Sequence, residues 1–525
     1  MAKVKSEEST ARKPSLLDAL IPVIFLVVSL AAAIYLYGDN SISGPVQVSL
    51  ILTAAIAGLI GIKNGHSVAS ISKAAVDSIS TAVGAIFILL AVGSLIGTWN
   101  MSGTIATMTS YGIQILSPTW YYVAVAIVCA LIAMGIGSAW TVMGTIGVAL
   151  IAIATALGVS PELTAGAVVS GSYFGDKMSP LSETTNLAPA VAGTDLYTHI
   201  RAMTITTIPS ILIALAIYTL LGFREDPEGA FNLDEAVAGI ETEYFVGFVP
   251  LLPLLLVIFL AIRKTPPTLA ILAGALLGGI IAIFWQTEVV LDFARNTAEL
   301  TTDSSANLSE PWALLKGVWD AMSTGFVSTT GSEGLDSLLT GGGMSSMLTT
   351  IWLILAALAF GGIMDYTGSL AKLIEPLKRI AKGDRGIMVA TGATAIGINA
   401  IAADQYIAIV LTGNVYKSDF EERGIAPQSL SRQIEDTATV TSPLIPWNSC
   451  GAYAAGVLGI STVAYAPFAF FNWINPIVSF VYAGLGIGIK HVPPDTEFNP
   501  APKDVEFYGV GGYDGEEVPL DGTEK

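Results

Sequence analysis

Charge is scarce in this chain. Asp, Glu, Lys and Arg make up 13% of its 525 residues, about half the share of an ordinary soluble protein. A soluble fold of this size needs far more to hydrate its surface, so the deficit points to the bilayer, as does the mean hydropathy of +0.66. Cysteine is nearly missing too. Cys129 and Cys450 stand far apart in apolar surroundings at no metal or redox spacing, which leaves both as packing residues. The three histidines, His66, His199 and His491, lack the His-Glu-x-x-His context of a metalloprotease. Asp176 follows Tyr173-Phe174-Gly175, not the Gly-x-Gly of an aspartyl intramembrane protease. The glycine run Gly341-Gly342-Gly343 is not followed by the Lys-Ser or Lys-Thr of a phosphate loop. These absences argue against an enzyme and against any cofactor. The acidic net charge of −18 gives no reason to expect a nucleic-acid partner.

Long apolar runs fill the chain instead: 16–37, 45–62, 79–98, 119–134, 139–157, 200–222, 244–262, 267–285, 346–364, 386–402 and 466–489. Each approaches the length that crosses a hydrocarbon core about 30 Å thick, and shorter apolar pieces lie between them, so the expectation is an all-α integral membrane protein with roughly 11 to 13 crossings. Lys3, Lys5, Arg12 and Lys13 precede a first run too long for a signal-peptide core and without a small-residue cleavage site, so that run is read as a retained helix. Those bases, with Lys63, Lys73, Arg263, Lys264 and the group from Lys372 to Arg385, mark the cytoplasmic side and place segment 1–15 there. The negative charge is concentrated in 223–243, 286–345 and 491–525, which together carry −19. The first is read as an acidic external loop dividing two membrane halves, 16–222 and 244–490. The second is read as an external loop with an amphipathic piece around Trp312, Leu315 and Trp319. The third is read as a disordered tail.

Within this apolar background the triplet Ser-Pro-Leu occurs twice, each time among charged and amide side chains: Asp176 to Asn186, and Glu435 to Asn448. Polar and helix-breaking residues at membrane depth are costly unless they line a cavity. Each half also interrupts a helix earlier, at Gly135-Ile136-Gly137-Ser138 and at 397–404, and then turns at Gly158-Val159-Ser160-Pro161 or Gly424-Ile425-Ala426-Pro427. The proline of Ser-Pro-Leu follows that turn proline by 19 residues in one half and 16 in the other. Such ordered repetition of broken segments is the trace left by transporters built from two inverted-topology repeats. A passive channel would instead call for a continuous pore ringed by charge.

Proline at 180 or 443 frees backbone carbonyls and amides on either side of it. Freed carbonyls, hydroxyls and a compensating carboxylate suit a hard cation such as sodium, whereas exposed helix N-termini suit an anion. The inventory favours the cation: Asp176, Glu183, Asp404, Glu435 and Asp436 stand against one base, Lys177. Burial disfavours a charged carboxylate, so a proton can take the place of a departing metal. The candidate ion- and proton-binding residues are Asp176, Ser179, Glu183, Thr184, Asn186, Asn399, Asp404, Asp436, Thr437, Thr441, Ser442 and Asn448, with Asp404 and Asp436 favoured for sodium. Structural alternatives accompany several of them. Asp176 could pair with Lys177, Glu183 could satisfy the backbone freed by Pro180, and one of Glu435 and Asp436 could neutralise Arg432. Asn186 and Asn448 could close hydrogen bonds across the breaks.

The stretch Phe174-Gly175-Asp176-Lys177-Met178-Ser179-Pro180-Leu181-Ser182-Glu183-Thr184-Thr185-Asn186-Leu187-Ala188 resembles the signature of NhaC-type sodium/proton antiporters. Asp404-Gln405-Tyr406, Tyr416-Lys417, Glu422-Arg423-Gly424 and Thr441 to Asn448 resemble that family's second half, so the likeness spans roughly 45–490. It implies a secondary transporter of the ion-transporter superfamily in the cytoplasmic membrane, with hairpins meeting near the membrane centre and sodium and protons as its ligands. Elevator-type relatives suggest a homodimer. The family usually carries Asp where this chain has Glu183. Relatives that exchange malate for sodium and lactate, or that move amino acids, supply the alternative, for which Lys177 is the one evident anion partner.

Overall fold

The computed structural model describes residues 11–224, 233–300 and 308–492. Among them no strand forms; Phe326 with Gly341 and Ile425 with His491 make isolated bridges. Among the described residues nine helices are long and apolar enough to cross a bilayer, and a pair bent by 92°, Ser449–Leu458 with Thr462–Phe468, makes a tenth if it forms one span. The count falls below the expected 11 to 13 because two apolar runs become shorter helices, Val249–Ile262 and Phe470–Leu485. Proline accounts for part of this: Pro250 and Pro253 hold a tight first turn in one run, and Pro467 sits in the turn just before the other.

The stretches read as external loops contain more structure than expected. Leu233–Glu243 is a helix, and Thr287–Leu300, Glu310–Ser323 and Glu333–Leu339 are helices within 286–345. Trp312, Leu315 and Trp319 are exposed on the middle one of these three. Of the tail expected to be disordered, His491 and Val492 are ordered, Val492 donating to Gly424 O at 3.0 Å; 493–525, like most of segment 1–15, lies outside the described residues.

Ten helices position the site. In the first half these are α1 (Tyr121–Ile136), α2 (Ala139–Leu157), α3 (Pro161–Met178), α4 (Glu183–Ala192) and α5 (Leu196–Gly222). In the second they are α6 (Gly383–Ala402), α7 (Gln405–Glu422), α8 (Pro427–Ile434), α9 (Ser449–Leu458) and α10 (Phe470–Leu485). The same punctuation divides both. Left-handed residues end α1 and α6 (Gly137, Ala403), α2 lies before Gly158 as α7 lies before Gly424, and Gly193 and Gly459 end α4 and α9. Pro161 and Pro427 open α3 and α8, and Ser182 and Asn448 cap α4 and α9. Residue 137 maps to 403, 158 to 424, 161 to 427, 182 to 448 and 193 to 459, a constant step of 266.

In each half the first two helices form an antiparallel hairpin whose open ends touch. Ser160 N donates to Tyr122 Oη at 2.9 Å in one, and Arg423 approaches Asp384 to 3.9 Å in the other. The tips turn through Gly137 and through Ala403, whose φ of 58° a side chain tolerates poorly. Against the first hairpin lies α3, at a distance only glycine permits: a Cβ on Gly171 or Gly175 would stand 2.2 Å from the carbonyl oxygen of Ala126 or Ala130. Close backbone approach through small residues is how helices pack where no hydrophobic effect drives them together.

Candidate functional site

Both Ser-Pro-Leu segments interrupt helices, and local side chains satisfy much of the backbone they free. After α3 ends, Ser179 Oγ accepts from Leu181 N at 3.2 Å and Thr185 Oγ1 donates to Lys177 O at 3.1 Å. Asn186 is exposed and donates to Pro180 O at 3.0 Å and Ser182 O at 2.7 Å. It closes the break from outside, so the structure places its amide on backbone oxygens and not in the enclosed centre.

In the second half α8 widens into a π turn, Glu435–Thr439, before its break. Thr437 donates to Gln433 O at 2.6 Å, Thr441 to Thr437 O at 2.6 Å and Ser442 to Thr439 O at 2.7 Å. Each hydroxyl thus spends its proton on a carbonyl and keeps its oxygen lone pairs. From α6, Asn399 donates to Ala438 O and, at 3.1 Å, to Thr441 Oγ1. Asn448 donates to Asn399 O at 3.2 Å while its own oxygen caps α9 at Cys450 N, 3.0 Å away.

Asp404 sits at the hairpin tip as the cap of α7. One oxygen accepts from Tyr406 N at 2.8 Å and Ile407 N at 3.1 Å, and the other from Ser449 Oγ at 3.1 Å. The matching position at the first tip is Ser138, which caps α2 through Thr141 N. Both oxygens of Asp404 are therefore engaged, one in capping α7 and the other in joining the tip to α9.

The two breaks meet at a charged crossing. Lys177 Nζ lies 2.9 Å from Asp436 Oδ1, both side chains being 0% exposed. Thr206 of α5 donates to the same oxygen at 3.0 Å, as does Asn475 of α10 at 3.2 Å; Ser479 donates to Oδ2 at 2.9 Å. Beside this pair Glu435 is also wholly buried, and neither of its oxygens closes a hydrogen bond with a described donor. The Lys177 ammonium and the Thr184 and Thr439 hydroxyls nevertheless turn toward it. Asp176, half-buried, lies near Glu435 and Glu183 and faces the Ser182 hydroxyl. Glu183, at the exposed edge, accepts from Tyr406 Oη at 2.6 Å and so links α4 to α7.

Asp176, Glu183, Thr184 and Asp436 thus gather at the crossing, while Asn399, Asp404, Thr441, Ser442 and Asn448 form a polar knot at the second tip. Lys177 pairs with Asp436, not with its neighbour Asp176, because adjacent helical residues point about 100° apart. Arg432 donates to Gly488 O at 3.1 Å, and no described carboxylate lies within ion-pair reach of it. Sequence reasoning ranked Glu435 below Asp436 and missed Thr206, Asn475, Ser479 and Tyr406. A signal did exist for two of them: Asn475 and Ser479, one turn apart in an apolar run, mark an inward face.

Compared with known proteins, residues 171–309 and 310–487 match the Na+/H+ antiporter family. The Na(+)/H(+) antiporter NhaC of Alkalihalophilus pseudofirmus is 36% identical over 80% of this chain and 86% of its own. An uncharacterized Na(+)/H(+) antiporter of Haemophilus influenzae is 34% identical over 91% of this chain and 97% of its own. The Malate-2H(+)/Na(+)-lactate antiporter of Bacillus subtilis is 31% identical over 92% of this chain and 98% of its own.

Proposed function

This chain belongs to the Na+/H+ antiporter family, and we propose that it exchanges sodium ions for protons across the cytoplasmic membrane by alternating access, with the two ions competing for buried carboxylates. It is a multi-pass membrane transporter. The observation that carries the reading is the crossing itself, where Asp436 pairs with the buried ammonium of Lys177, the buried Glu435 lies beside that pair, and Asp176 of the other broken segment lies near Glu435. An excess of carboxylate oxygen in a low-dielectric place calls for a mobile positive charge, and sodium and protons are the two that the family's name supplies.

Alternating access requires the site to be reachable from either side, and the helix order supports two halves of opposite orientation. The open end of the second hairpin carries Asp384, Arg385 and Arg423, next to Lys382 and the Lys490 segment. By the positive-inside tendency that end is cytoplasmic. The open end of the first hairpin has no such cluster among the described residues, only Arg224 next to Phe223; Trp120 there packs edge-on against Phe223, at the start of the acidic linker, with ring centroids 5.3 Å apart. This supports entry from the opposite face, with the N-terminus cytoplasmic. Pairing into a homodimer is part of the same proposal.

Exchange of small carboxylates would want a cation free to receive the substrate anion, and Lys177 is already paired with Asp436. The test is reconstitution in liposomes with a pH dye inside, followed by sodium, lithium, potassium, malate or lactate in turn. Sodium alone should move protons. A response that requires malate or lactate would replace this reading with the carboxylate one.

A further inference from the structure

We propose that Glu435, not its neighbour Asp436, holds the transported cation, and that the Lys177–Asp436 pair is a brace that fixes the walls of the site. The assignment rests on the exchange reading above and divides the work within that crossing.

Asp436 has no capacity to spare. A carboxylate offers about four lone-pair directions, and Lys177, Thr206, Asn475 and Ser479 approach its two oxygens from α3, α5 and α10 at 2.9 to 3.2 Å. A cation binding there would have to strip a buried ammonium of its counter-charge and displace three hydrogen bonds, one of which, from Thr206, joins the two halves. Such a group is a rivet.

Glu435 differs in every respect. It is the preceding residue of the same π turn, and none of the donors that Asp436 collects closes a hydrogen bond with it. It is 0% exposed with both oxygens lacking a closed hydrogen bond, and the buried hydroxyl of Thr439, one turn on, lacks one as well. Unsatisfied buried polar atoms are rare in folded proteins, and here carboxylate and hydroxyl oxygens of this kind converge with Thr184 and the carboxylate of Asp176. Hard oxygen donors with two carboxylates among them are the complement of a small metal cation. The brace explains the arrangement: Lys177, fixed to Asp436, turns its charge toward Glu435 without closing on it, which keeps the site pre-formed yet open.

The test is equilibrium binding of radioactive sodium to purified full-length protein in detergent, with proteoliposome exchange alongside. Glu435→Gln, nearly the same shape without the charge, should weaken sodium binding at least tenfold, and Glu435→Asp should retain binding within about tenfold. Full sodium affinity in a monodisperse Glu435→Gln protein would overturn the assignment, because a merely structural Glu435 would accept the amide. If Glu435→Gln does not fold, Thr439→Val carries the test: at least a threefold weakening supports the site, and unchanged affinity overturns it. Failure of the exchange reading looks different, since wild-type proteoliposomes would then move no protons on addition of sodium alone; failure of the present inference leaves wild type and Glu435→Gln binding sodium alike.

Discussion

Removing Lys177 while leaving Asp436 should destabilise the protein more than removing both. The ion pair is fully buried at 2.9 Å, and breaking a buried pair from one side costs about 3–5 kcal/mol because the remaining charge keeps its desolvation penalty. The two single changes should not be equal. After Lys177→Met, Asp436 keeps hydrogen bonds from Thr206, Asn475 and Ser479, so the loss should fall near the lower figure, about 3 kcal/mol. After Asp436→Leu, an ammonium stays buried beside Glu435 with its ion-pair partner gone, and the loss should approach about 5 kcal/mol. The double variant Lys177→Met with Asp436→Leu removes both charges and should lie within about 2 kcal/mol of wild type, since buried pairs are often replaceable by apolar groups of similar volume. The assay is reversible unfolding by dodecyl sulfate titration in mixed micelles, followed by tryptophan fluorescence, with all four proteins forming a double-mutant cycle. A coupling of several kcal/mol is expected. Additive single effects, or a Lys177→Met variant within about 1 kcal/mol of wild type, would refute the claim that these two groups brace one another.

Further outcomes follow from other contacts. Asp404→Ser should keep both fold and exchange, because serine caps the equivalent tip at position 138; Asp404→Ala should cost about 1–2 kcal/mol for the lost cap. A well-folded Asp404→Ser protein without exchange would return Asp404 to the list of ion ligands. Tyr406→Phe removes the 2.6 Å bond to Glu183 and should slow turnover several-fold while leaving sodium affinity near wild type; an affinity change larger than the rate change would count against its role as a link between the halves. Gly175→Ala forces a methyl to 2.2 Å from Ala130 O and should prevent α3 from seating, seen as loss of monodisperse protein on size exclusion; normal behaviour would mean that the helices separate freely.

The apolar runs announced the helices, and the boundaries mostly followed from proline and glycine. The runs 16–37, 139–157 and 267–285 return as helices with those ends. The exceptions have a local cause: an apolar run gives the length of a hydrophobic stretch, but Pro250, Pro253 and Pro467 decide how much of it winds as one helix. Of the helices inside the acidic stretches, the spacing of Trp312, Leu315 and Trp319 announced Glu310–Ser323, whereas Leu233–Glu243, Thr287–Leu300 and Glu333–Leu339 escaped notice because they carry no long apolar run. The order of the two halves was readable in outline, as paired breaks, turns and Ser-Pro-Leu triplets; the breaks, turns and caps repeat at a constant step of 266, while the triplets themselves stand 263 residues apart.

Division of labour within the site is another matter. Glu435 and Asp436 are adjacent and chemically alike, and so are Asp176 and Lys177; nothing in one dimension says which of them face each other. Composition and pattern determined that this chain is helical, lies in a bilayer and concentrates carboxylates at two breaks, because hydrophobic transfer and backbone hydrogen bonding act on local sequence. Only the tertiary structure decided that Lys177 reaches Asp436, 259 positions away, that Asp404 is occupied as a cap and that Glu435 is left open, because a buried charge takes its partner from whatever helix packing brings within reach.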